Sequence, residues 1–288
     1  MYELLVGPFA EFDFMRRALV GVLALGLGAG PIGVLIMLRR MSLAGDAVAH
    51  AILPGAAVGF LAAGLNVWAM TAGGMVAGFA VAIGAGAVAR ATQMKEDAAL
   101  AAFYLISLAL GVLLVSLRGS NVDLLHVLFG TVLALDDATL MLITGISTLT
   151  LVVLAVLWRP LVIDGVDPGF LRSVSRAGAP SHLVFLALVV MNLVGGFHAL
   201  GTLLAVGLMM LPAAAARFWT RQLTAMVGLS VLVACLSGVI GLLVSYHTGV
   251  PSGPSIILVA GGAYALSVLL GPIGGLLPRL LPRRHLEA

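Results

Sequence analysis

Charge is what this sequence has least of. Only 9% of its 288 residues are Asp, Glu, Lys or Arg, against roughly 25% in soluble domains. With 61% hydrophobic residues as well, the chain is excluded from the soluble globular class and belongs with polytopic membrane proteins. Cysteine is nearly absent. The single Cys235 rules out an intrachain disulfide and any cysteine-based zinc cluster. The few basic residues are not interleaved with aromatics, so no nucleic-acid partner is expected. No Gly-x-x-x-x-Gly-Lys-Ser/Thr loop occurs, so if ATP drives this protein another chain must bind it. Residues 1–17 mix Glu3, Glu11, Asp13, Arg16 and Arg17 with apolar residues, and no cleavable signal peptide is expected there. A clear internal repeat is also missing. Glycine, by contrast, is abundant at 36 residues, which suits helices packed closely in lipid.

A crossing needs about 20 apolar residues. Apolar runs fall at 18–38, 47–65, 67–89, 98–117, 138–158, 182–197, 199–216, 223–246 and 255–276. The expectation is an all-α polytopic bundle of about nine membrane helices, with residues 1–288 forming one transmembrane domain. Eight helices result if the glycine-containing join at 195–201 lies within one irregular crossing. Leu124–Leu135 is too short to cross and reads as a re-entrant or interfacial helix.

Threading the spans from an outside N-terminus puts Arg39, Arg40, Arg90, Lys95, Arg159, Arg172, Arg176, Arg217, Arg221, Arg279, Arg283 and Arg284 on the cytoplasmic side. Only Arg16, Arg17 and Arg118 fall outside. This asymmetry obeys the positive-inside rule and predicts a cytoplasmic C-terminus. The longest cytoplasmic connection is then 159–181, the most polar stretch of the chain. Within it, Asp167-Pro168 followed by Gly169-Phe170-Leu171-Arg172 reads as a short capped helix ended by Gly178-Ala179-Pro180. Such a helix suits docking to a soluble partner.

Ionisable groups inside a membrane are costly, so the few present carry information. Asp46 and His50 stand at i and i+4 at the start of the second span, one turn apart on one side of a helix. Carboxylate oxygen and imidazole nitrogen both ligate zinc and manganese. Two protein donors leave a site incomplete, which suits transit because a conducted ion must also leave. Helix capping by Asp46 is the competing reading and is compatible with the first. Pro54-Gly55 is expected to break or bend the same helix and free carbonyls toward a cavity. Asp123 and His126, at i and i+3, would form an outer mouth, and His198 in the Gly195–His198 join is a further candidate. Asp136 or Asp137 is expected to cap the fifth span, His182 to do no more than cap the sixth, and Met209 and Met210 to pack.

Five blocks of this sequence look like the membrane permeases of zinc- and manganese-importing ABC transporters. They are RRMSLAGDAVAHAILPGAAVGF (39–60), KEDAALAAFYLISLALGVLLVSL (95–117), VDLLHVLFGTVLAL (122–135), ALGTLLAVGLMMLPAAAARF (199–218) and PSGPSIILVA (251–260). They occur in the family's order, and the pattern most resembles zinc-importing members. The resemblance implies a homodimeric permease in a bacterial plasma membrane, two cytoplasmic ATPase subunits and an extracytoplasmic metal-binding protein. It implies no permanently bound cofactor, only a transported divalent metal ion, zinc foremost and manganese or iron as alternatives. It also places Asp167, Pro168, Phe170, Leu171 and Arg172 in the segment that meets the ATPase. Family members usually carry a Glu-Phe-Ala-type sequence and a Gly-Leu pair there. This chain instead has Gly169-Phe170-Leu171 and Arg176-Ala177-Gly178. A stand-alone ion-coupled carrier would explain the composition but not the polar docking segment, and it commonly shows inverted repeats. An intramembrane hydrolase using Ser42, Asp46 and His50 lacks an oxyanion site.

Overall fold

The computed structural model describes residues 6–41, 44–64, 66–117, 132–175 and 178–280. Its elements are α1 (Gly7–Glu11), α2 (Asp13–Leu38), α3 (Ala44–Ala63), α4 (Val67–Ala91), α5 (Glu96–Leu117), a 3-10 turn at Val132–Ala134, α6 (Asp137–Val166), α7 (Pro168–Val174), α8 (Gly178–Ala216), α9 (Leu223–Thr248), α10 (Ser252–Leu270) and α11 (Leu276–Leu280). No strand occurs among the described residues. Among the described residues eight helices are long and apolar enough to cross a membrane, and Gly201–Ala216 is a shorter apolar piece. The proposed re-entrant helix lies mostly outside the described residues; only its last residues are seen, in and just after the 3-10 turn.

The ninth crossing expected from the sequence is the second leg of α8. The helix is interrupted at Gly201, where φ is 79° and ψ 164°, a conformation open only to glycine. A Cβ built on Gly196 would lie 2.6 Å from that of Ala205, whereas nine residues of straight helix would separate them by about 13 Å. The chain therefore doubles back. Along α2, Leu25 sits beside Gly196 and Gly28 beside Asn192, while Gly33 meets Met209 and Ala213. The first leg of α8 thus runs against α2 and the second leg runs with it. The turn falls at Gly201, the far end of the 195–201 join expected from the sequence, while Gly195-Gly196 are helical and buried against neighbouring helices.

Helix α2 is the hub. Within its apolar window 78% of residues are buried, against 22% for α5 at the periphery. Met15, Ala18, Val22, Leu25, Ala29, Ile32, Leu35 and Ile36 bury one after another along it. On peripheral helices, side chains such as Leu105, Ile106, Leu110 and Leu258 remain exposed, as lipid-facing residues do. Lipid tails are as apolar as leucine, so close packing and buried polar pairs hold such helices together. Ser230 Oγ donates to the Gly30 carbonyl at 3.1 Å, and Asn192 Nδ2 donates to Thr150 Oγ1 at 2.8 Å. Each interhelical bond of this kind contributes about 0.6 kcal/mol. Helices α3 and α4 also approach closely, for a Cβ on Gly55 would overlap the Gly73 carbonyl.

The ends of α2, α6 and the second leg of α8 gather at one end of the bundle with the start of the first leg. The tip of α10 joins them: Ile273 N donates to the Phe218 carbonyl and Trp219 Nε1 to Ser267 Oγ, each at 2.9 Å. We call this the Arg39 end.

At the opposite end Asp136 caps α6, its Oδ1 accepting from Thr139 N at 3.0 Å, and Asp137 pairs with Arg17 at 3.2 Å. The hydrogen bonds from Thr139 hold the Asp136 carboxyl below its ordinary value of 3.8. A lowered value stabilises the fold at pH above 3.8, and that contribution is lost as pH falls through the lowered value. Asp136→Ala is expected to cost about 0.5–2 kcal/mol at neutral pH. Denaturation of the detergent-solubilised protein should show the gap between parent and variant closing in strong acid.

Candidate functional site

Asp46 stands in the first turn of α3 and His50 one turn later. His50 Nε2 lies 3.5 Å from Asp46 Oδ1. That is within reach of an ion pair but longer than a good hydrogen bond, so both groups keep lone-pair capacity for a shared ligand. Their side chains are 59% and 26% exposed for Asp46 and His50 respectively. The acid faces open space and the imidazole is half sunk in the bundle. His50 Nδ1 is buried and has no hydrogen-bond partner among the described residues.

Helix α5 supplies the wall behind the pair. Tyr104 places its ring centroid 5.8 Å from that of His50, tilted by 33°. Ser107 Oγ donates to the Ala51 carbonyl at 3.0 Å. Gly111 lets α5 approach until a Cβ there would sit 3.2 Å from Pro54 N. These residues recur at i, i+3 and i+7, one stripe of α5 laid along α3. Pro54 has no N–H, so the His50 carbonyl lacks its usual intrahelical donor. Of the break or bend expected from the sequence, the break does not occur at Pro54-Gly55, since α3 remains helical from Ala44 to Ala63. Neighbouring helices permit this: Ser107 and Gly111 close over the proline, and Gly55 seats against α4.

Among the described residues no group of three or more His, Cys, Asp or Glu side chains could hold a metal ion. Among the described residues the pair is thus a two-donor arrangement. Asp123 and His126 lie outside the described residues. His198 belongs to the first leg of α8, close before the Gly201 turn. Ile52 is level with Val190 and Val194 through Gly74 and Gly78. At 1.5 Å per residue His198 therefore lies roughly 18 Å from Asp46 along the bundle axis. It stands at another depth, on the far side of the level of Ile52.

In the docking segment, Asp167 Oδ1 accepts from Phe170 N at 2.9 Å and caps α7, with Pro168 in the first turn. Leu171 is buried, whereas Phe170 is 55% exposed and Val174 projects from the same face one turn later. Arg172 lies on this helix too. Gly178-Ala179-Pro180 does not end α7, which stops at Val174; it opens α8. Proline is tolerated there because the first turn has no intrahelical acceptor for its missing N–H.

Sequence reasoning missed a cluster at the Arg39 end. Arg39 Nη1 lies 2.7 Å from Asp164 Oδ2 and 3.1 Å from His182 Nδ1. His182, read from the sequence as a simple cap, is therefore a partner of Arg39. The only signal was Asp164, a lone acid in the apolar run Val162–Val166, since such an acid needs a partner. A cavity of about 710 Å³ opens beside the cluster, lined by Arg39, Arg40, Lys95, Asp97, Asp164 and His182 among others. Asp46 and His50 are not in its lining.

The profile of the ABC 3 transport family matches residues 11–271. The chain is 32% identical to the manganese import system permease protein ScaB of Streptococcus parasanguinis, covering 91% of this chain and 92% of that one. It is 31% identical to the zinc transport system membrane protein TroC of Treponema pallidum, covering 97% and 96%. The solved structure of PsaBC from Streptococcus pneumoniae in complex with a Fab contains a chain similar to this one at TM-score 0.84 and 30% identity, covering 95% of this chain and 98% of that one.

Proposed function

Because the chain belongs to the ABC 3 transport family and is the multi-pass permease subunit of a plasma-membrane metal-ion importer whose ATPase is a separate subunit, we propose that Asp46 and His50 form its transit site for a divalent first-row cation. The observation that carries this reading is the 3.5 Å spacing of a carboxylate and an imidazole on one open face of α3. Two donors from one chain leave a tetrahedral or octahedral ion short of ligands. A twin subunit presenting the same pair would complete it, so a homodimer with the site on its axis is part of the proposal. Tyr104 and Ser107 orient the wall of the path and fix the helix carrying the imidazole.

The Arg39 end is proposed to face the cytoplasm, in keeping with the positive-inside rule, which puts the end of α10 there too. Helix α7 then meets the ATPase, through Phe170 and Val174 with Asp167, Pro168, Leu171 and Arg172 shaping the contact. Metal reaches the opposite face from an extracytoplasmic binding protein. The sequence pattern leaned toward zinc. Near-equal identity to a manganese and a zinc permease widens that to both metals, and carboxylate with imidazole serves either. The test is uptake by proteoliposomes holding the permease, its ATPase and its binding protein. ATP-dependent accumulation of labelled zinc or manganese is expected, with competition between them giving the order of preference. A permease that moves metal without ATPase, driven by an ion gradient, would overturn the reading.

A further inference from the structure

The Arg39 cluster joins two segments that the proposed mechanism leaves separate. Arg39 follows the last residue of α2, and α3 with its Asp46–His50 pair opens a few residues on. Asp164 sits in the last turn of α6, just before Asp167, the residue that caps α7. We propose that the Arg39–Asp164 ion pair is the joint through which movement of α7 reaches the metal pair, making both side chains positioning residues for transport. The inference rests on the reading of α7 as the segment that meets the ATPase.

Four observations support it. The pair is short, 2.7 Å, and sealed, with side chains 6% and 4% exposed. The guanidinium is held from several sides: Nη2 donates to the Leu161 carbonyl at 3.4 Å, and Cζ stands 3.8 Å from the Phe185 ring centroid. Guanidinium can only donate, so His182 Nδ1, at 3.1 Å from Nη1, accepts and keeps its proton on Nε2. Gly165 lets the end of α6 come close, since a Cβ there would lie 3.1 Å from Leu38 Cδ2.

The segment carrying Asp164 is also set off from the rest of α6. Leu157 departs from helical geometry at φ −106° and ψ 19°. Pro160 removes one more helical hydrogen bond from the same stretch. From this break to Val174 the chain forms an angled arm, with Asp164 at its inner side and α7 at its tip. The adjoining cavity gives that end of the bundle room to rearrange. Finally, a buried ion pair gains little over well-packed apolar residues, so stability alone does not account for it. Within a largely apolar bundle, a sealed charge pair moves two segments together where greasy side chains would slide.

The test uses the full complex of permease, ATPase and binding protein in proteoliposomes, and reads metal taken up per ATP hydrolysed. Asp164→Asn and Arg39→Gln are expected to lower that ratio by at least about fivefold, the scale of coupling between distant sites, while ATP hydrolysis per assembled complex persists. Arg39→Met combined with Asp164→Leu restores packing without the tie, so this variant is expected to assemble and still show the lowered ratio. A merely structural pair would reduce uptake and hydrolysis together. An unchanged ratio in these variants overturns the proposal. Absence of ATP-driven uptake by the unaltered complex would instead overturn the reading of function beneath it.

Discussion

Metal uptake is expected to fall by more than about 100-fold when Asp46 and His50 are both replaced by alanine. Losing a residue that merely supports a metal ligand costs 10–100-fold in affinity or activity, and here both proposed donors are removed. The fold should tolerate the change. Asp46 is mostly exposed and His50 makes no described hydrogen bond through Nδ1, so neither alanine leaves a buried partner unsatisfied. If Asp46 only helped to start α3, its loss would cost about 1 kcal/mol of helix stability, and uptake would follow protein yield. The measurement is labelled zinc or manganese uptake in proteoliposomes, normalised to incorporated complex. Parent-like uptake by the double variant would remove the site. Asp46→Asn separates charge from shape: it keeps the side-chain outline, removes the anionic donor and is expected to give most of the loss.

The second large effect is expected at the other end of the α6–α7 arm. Phe170→Asp should cost the complex its ATPase subunit. Aromatic anchors at the centre of an interface contribute 2 kcal/mol or more when truncated, and 1.4 kcal/mol is a factor of about ten in affinity. An aspartate goes further than truncation, because it carries a charge into a face shared with Val174. The permease itself should be unharmed. Phe170 is 55% exposed, and surface changes of this kind stay within about 0.5 kcal/mol. Co-purification with tagged ATPase is the readout, with the thermal transition of the isolated permease as control. Retention of the ATPase at parent levels would move the docking surface elsewhere. Leu171→Asp is the informative contrast: Leu171 is buried against the bundle, so that change should destabilise the permease as well.

How much of this was legible beforehand depends on the range of the interaction. Asp46 and His50 were found from an i, i+4 spacing, and the cap of α7 from Asp167-Pro168 with the amides that follow. Both are relations within one turn. The reversal was legible as a glycine-containing join at 195–201, but not its place at Gly201, because Gly195-Gly196 offers the same composition signal. Close packing rather than backbone reversal is what those two glycines serve. The unbroken course of α3 through Pro54 was equally hidden, since it depends on Ser107 and Gly111 from another helix.

The amino-acid sequence by itself determined that this chain lives in a membrane, roughly where its helices lie, and which pair of donors shares one helical face. These follow from composition and from periods of a few residues, which backbone geometry converts directly into structure. Only the tertiary structure decided that Arg39 meets Asp164 and His182, that Tyr104 stands beside His50, and that α8 folds back along α2. Those contacts join residues tens to more than a hundred positions apart, and they arise when apolar helices find the one mutual packing that leaves few buried charges or polar groups without a partner.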